Sequence, residues 1–114
     1  MTKTEVLTFL QQIKPHALES SVLLHWLEEL ERKIELELHG KYFREDSNAI
    51  RGTDELSVVS PYDKIYWTYL VSMIDFVAGD PEIFAFSNGV FQEAYGEYAR
   101  YVQRNSGSRR KRSR

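Results

Sequence analysis

The residues best suited to chemistry are few and widely spaced. His16, His25 and His39 could bind a metal or move protons. However, no pair has the i,i+4 spacing that sets two ligands on one helical face. They are read as surface or packing histidines. Asp63, Asp75 and Asp80 could pair for acid–base work or hold a cation. Asp63 and Asp80 are better explained as helix-start residues. Asp75 sits within an apolar run and needs a partner if buried, so a hydrogen bond or ion pair is expected, to the core or to a neighbouring subunit. No phosphate loop, nucleophile elbow or dinucleotide fingerprint is present. With no cysteine, disulfides and thiolate metal sites are excluded. The expectation is a non-enzymatic protein with no catalytic set, no metal and no cofactor.

Charge is distributed unevenly. Arg104, Arg109, Arg110, Lys111, Arg112 and Arg114 form a basic end with no acid among them. The preceding residues carry nine bases against all seventeen acids. An acidic body with a basic tail describes the chain better than its net charge of −2. A basic run binds phosphate electrostatically and without sequence readout. It could equally dock on an acidic protein surface or remain solvated. The many aromatic residues between Tyr62 and Tyr101 could stack bases, but only Lys64 and Arg100 are interleaved with them. Core and subunit interface are the preferred reading for this set.

The elements that position these residues follow from apolar spacing. The length suits one domain, with a body over residues 1–104 and a flexible basic tail over 105–114. No run approaches the length of a membrane span, and the N-terminus does not read as a signal peptide. A first helix is expected over 2–13, with a Thr2/Glu5 capping box and with Val6, Leu10 and Ile13 on one face. A second, capped by Ser20 or Ser21, runs to about His39 with Leu23, Trp26, Leu27, Leu30, Ile34 and Leu38 as its stripe, and Gly40 stops it. Residues 41–59 read as an extended connection. Asp54–Val59 is strand-like but has no second strand-like run to pair with, so it is expected to be an arm or an edge open to another subunit.

A third helix is expected from Ser60-Pro61-Tyr62-Asp63 to Ala78. It is apolar over more than half its circumference, hence buried on more than one side, with one side available to another subunit. Gly79 ends it, Asp80-Pro81 starts a fourth helix, and that helix ends near Arg104. Gly89 and Gly96, seven apart, suggest close approach of another helix. The fold class is therefore all-α, a small bundle of about four helices. The predicted core or subunit contacts are Tyr62, Tyr66, Tyr69, Leu70, Asp75, Phe91, Tyr95 and Tyr98.

One pattern spans two helices: Glu55-Leu56-x-Val58-x-x-Pro61-Tyr62-Asp63, Tyr66-x-x-Tyr69-Leu70, Ile74-Asp75 and Gly79-Asp80. It continues through Ser87-Asn88, Phe91-x-x-Ala94-Tyr95, Tyr98-Ala99-x-Tyr101 and Arg104. Over about residues 54–104, this resembles the small head–tail connector, or adaptor, proteins of tailed phages and prophages. The resemblance implies an all-helical subunit of a homo-oligomeric ring, typically dodecameric. Such a ring sits between the portal protein and the tail or stopper protein, in the virion once assembled and in the host cytoplasm before. DNA would pass through it without sequence readout, and an acidic body suits a conduit along which DNA slides. The basic tail departs from the family pattern; it is read as a portal or DNA contact. The alternative reading is a small DNA-associated helical regulator anchored by that tail. An exposed basic recognition helix, which such a regulator would need, is not evident in either late helix.

Overall fold

Thr2 caps the first helix as its side chains predict. Its hydroxyl accepts from the Glu5 N–H, and the Glu5 carboxyl accepts from the Thr2 N–H. The structure is a computed structural model describing residues 1–40 and 54–112, with side chains described to Asn105. Among the described residues there are four helices: α1, Lys3–Ile13; α2, Ser20–Glu37; α3, Lys64–Ala78; and α4, Pro81–Arg112. The chain is all-α, and no helix among the described residues is long and apolar enough to cross a membrane.

Helix α3 is the centre of the packing. It forms a hairpin with α4 and touches both α1 and α2. The core combines Val6 and Leu10 of α1, the Leu23, Leu27, Leu30 and Ile34 stripe of α2, Ile65, Tyr66, Leu70 and Ile74 of α3, and Phe91 and Tyr98 of α4. Most of α3's apolar surface is thus covered within one chain, and only its last turn, with Phe76 and Val77, is left outside. The hairpin turn follows its sequence signals. Gly79 adopts φ 87, and the Asp80 carboxyl accepts from the N–H groups of Glu82 and Ile83. Gly40 likewise takes φ 67 just beyond α2.

Several boundaries differ from expectation. Helix α2 begins at Ser20 itself, with Glu19 at the cap position and no side-chain cap, so neither Ser20 nor Ser21 caps it. Helix α3 begins at Lys64, not at Ser60–Pro61. The Tyr62 N–H bonds to the Val59 carbonyl, which makes Ser60 and Pro61 part of a turn before the helix. Ile13 is exposed, because α1 ends there and the chain leaves the core. Nothing approaches Gly89 closely enough to require glycine, and at Gly96 the near atom belongs to the flexible Arg100 side chain, so close helix approach at this pair is not observed. Helix α4 runs on past Arg104 to Arg112. Arginine and lysine are good helix formers and no proline interrupts them.

The largest correction concerns the strand-like segment. Residues 54–58 have a partner in their own chain, the very start of it. Lys3 N–H bonds to the Asp54 carbonyl at 2.8 Å, and Leu56 N–H bonds to the Met1 carbonyl at 3.2 Å. Thr2 and Glu55 form an antiparallel bridge, while Leu56 and Val58 enter the core. Residues 41–53 of the expected connection lie outside the described residues. Asp75 is 3% exposed, and Lys14, from the end of α1, reaches its Oδ1 at 2.8 Å. Lys14→Met should therefore cost about 1–3 kcal/mol by leaving a buried carboxyl without its cation. Adding Asp75→Leu should return part of that loss in chemical denaturation; additive losses would mean that the pair is not coupled.

Candidate interaction surface

The residues singled out in the sequence separate into a buried set and an exposed one. Tyr66 and Leu70 are fully buried, Phe91 and Tyr98 nearly so, and Tyr62, Tyr69 and Tyr95 are half-buried. Arg104 is exposed, and Arg109, Arg110, Lys111 and Arg112 continue along the backbone of α4. Arg114 lies outside the described residues.

The buried set centres on a polar knot. The Tyr66 O–H donates to Glu31 Oε1 at 2.7 Å, and the Ser57 N–H donates to Glu31 Oε2 at 2.7 Å. The Val58 N–H donates to the Tyr66 oxygen at 2.9 Å. Glu31 lies on the inner side of α2, one residue after Leu30, and it ties α2, α3 and the 54–58 segment together. The acidic pattern of α2 reads as a solvated face, so this inward carboxyl was not evident in the sequence; a glutamate within a leucine stripe was its signal. At the outer edge of α4, the Tyr95 O–H donates to Glu37 at 2.6 Å, and Glu37 also pairs with Lys33 at 2.8 Å. The hydrogen bonds from Lys33 and then Tyr95 hold the Glu37 carboxyl below the usual range.

These tyrosines resist ionisation. Burial, and then the adjacent Glu31, push Tyr66 far above its ordinary value; burial and the bond to Glu37 do the same to Tyr95. A raised folded-state value means that the unfolded chain loses these protons first. Stability is fully present below about pH 10, the unfolded value, and falls as pH rises beyond it. Unfolding free energy measured from pH 8 upward should decline from about pH 10, and Tyr66→Phe should flatten part of that decline. An equal slope in the variant would show that Tyr66 does not carry it.

The histidines do not converge. His16 Nδ1 accepts from the Leu18 N–H, His25 faces Glu29 at 3.6 Å, and His39 Nε2 lies 2.7 Å from the Tyr98 hydroxyl. Among the described residues, no group of three metal-ligating side chains forms. A groove of about 530 Å³ runs along α2 beside His25, Arg32 and Leu36. Its three acids already have partners: Glu28 pairs with Lys3 of α1, and Glu29 and Glu37 with His25 and Lys33 on the same helix.

The exposed feature of note is apolar and surrounds the hairpin turn. Phe86 is 76% exposed and Phe76 61%, with Val77, Ile83 and Val90 also open to solvent. Ile83, Phe86 and Val90 are three and four apart, so they line one face of α4, while Phe91, Ala94 and Tyr98 face the core. Phe76 meets Phe84 edge to face at 5.4 Å, which joins the end of α3 to the same strip. Asp80 and Glu82 are the two charges within residues 76–90, and no base lies in that stretch. A second apolar period on α4, out of phase with the core period, was the sequence signal for this face. Comparison of the chain with protein families, with curated proteins and with solved structures finds no match.

Proposed function

We propose that this chain is a virion structural subunit: a ring-forming head–tail connector of a tailed phage, seated between the portal and the tail or stopper. The carrying observation is the apolar strip at the α3–α4 turn. A small monomer rarely leaves several large apolar side chains contiguous and open, and such a strip marks a protein contact. The resemblance of residues 54–104 to connector proteins supports this reading, and an acidic body suits a channel through which DNA slides. Among the described residues the helices bury one core within a single chain, so a subunit that folds first and assembles afterwards is the form this reading takes. Light scattering across concentration, with electron microscopy of the product, tests it. A discrete oligomer with a central channel is expected; a monomer at every concentration overturns it.

The helical basic end of α4 favours one other reading, a DNA-associated regulator. That reading expects a monomeric body and a salt-sensitive DNA shift abolished by reversing the charge of Arg109–Arg112.

A further inference from the structure

The two exposed ends of α4 complement each other, but one chain cannot bring them together. At the hairpin turn, residues 76–90 carry two acids, no base and the apolar strip. From Tyr98 to Arg112 there are six bases and no acid. Arg100, Tyr101 and Arg104 are exposed there. Positions 83, 86, 90, 97, 101 and 104 are spaced by three, four and seven, so the strip and the basic end share one face of the helix. Phe86 and Arg104 stand about 27 Å apart along that face at 1.5 Å per residue. Because both lie on a single continuous helix, they can meet only between molecules.

We infer that the acid-rimmed apolar turn of one subunit docks on the basic, tyrosine-bearing end of α4 in the next copy, in a head-to-tail contact. This rests on the self-assembling reading above and names its contact. Tyr101 stacks on Tyr62 in its own chain and stays partly exposed; Phe86 and Ile83 would cover that exposed part, and Asp80 and Glu82 would meet Arg104. Tyrosine and arginine are the residue types enriched in such contacts. A two-fold antiparallel pairing of the same faces would also join unlike ends. However, setting Phe86 on Tyr101 and Ile83 on Arg104 brings the two exposed Glu93 side chains side by side at its centre, where like charges repel. A head-to-tail contact in which the two α4 helices cross steeply keeps those pairs at one end only, parts the two Glu93 side chains, leaves a free end on every subunit, and closes into a ring when the rotation permits.

Two full-length variants test the contact by sedimentation velocity. Phe86→Glu spoils the turn and leaves the basic end intact; R109E/R110E/K111E/R112E does the converse. Wild-type chain should form assemblies larger than a dimer that loosen with added salt. Phe86→Glu should weaken self-association by about thirty-fold or more, the worth of a central aromatic contact. Phe86 makes little contact with its own core, so at dilutions where both proteins are monomeric the melting curve should be unchanged. Each variant alone should be largely monomeric, and a mixture should recover one-to-one pairs, since one supplies a sound basic end and the other a sound turn. Wild-type assembly that stops at a dimer overturns the inference, as does a mixture that stays monomeric. A ring that forms equally well in either variant removes this contact while leaving the connector reading in place. A monomeric wild type removes both.

Discussion

Leu70→Asp should leave the chain with no cooperative thermal transition and with much of its far-ultraviolet helical signal lost. Leu70 is 0% exposed, at the middle of α3, where α1, α2 and α4 all converge on that helix. Replacing it removes a leucine's burial, about 1.5–3 kcal/mol, and leaves a carboxyl with no cation beside it. The carboxyl can escape full desolvation by taking up a proton, but that also costs free energy at neutral pH. The combined loss is comparable to the whole stability of a domain this size, about 5–15 kcal/mol. Leu70→Ala is the graded control and should cost about 2–5 kcal/mol while keeping a transition. A folded, assembled Leu70→Asp would mean that this face of α3 is not the core.

Tyr66→Phe is the second large effect, and it changes a single atom. The ring remains and its packing is kept, but the Val58 N–H loses its acceptor and Glu31 loses a donor. Hydrogen bonds to a charged group contribute about 1.5–3 kcal/mol, and a buried N–H left unpaired costs about 1–3 kcal/mol. A net loss of about 3 kcal/mol is expected, unless water enters to restore part of it. The location of the effect matters more than its size. Amide exchange at Ser57 and Val58 should quicken well beyond the global change, because these groups hold the 54–58 segment to α2 and α3. Uniform quickening across the core would show that the segment is held by Leu56 and Val58 packing alone.

What the sequence revealed, and what it concealed, divides by range of interaction. Thr2 with Glu5, Gly79 and Asp80 act on residues within a few positions of themselves, so their roles could be read directly. The α2 stripe was equally readable, since Leu23, Leu27, Leu30 and Ile34 repeat at the helical period. The Ser60–Pro61 start failed because a good local signal was overruled by the turn that Tyr62 makes with Val59. Docking of 54–58 could not be read at all. Its partners Met1, Lys3 and Glu31 lie far back along the chain, and no period or motif links positions so far apart. The exposed strip was present in the spacing of Ile83, Phe86 and Val90. Aromatic residues in a small chain read as core, however, and only the packing shows which of the two apolar faces of α4 was left open.

On the ribosome, α1 and α2 emerge well before the residues that tie them down. Met1 and Glu55 are 54 positions apart, and Tyr66, which completes the knot on Glu31, follows later still. Until then Val6, Leu10, Leu27 and Leu30 have no cover from α3, and closing so long a loop costs entropy before any contact repays it. Before α3 emerges, α1 and α2 can bury their apolar stripes only against each other. The rest of that cover comes when α3 is within reach of both. A chaperone or a ribosomal surface that shields apolar helices would act in that interval, before the core closes.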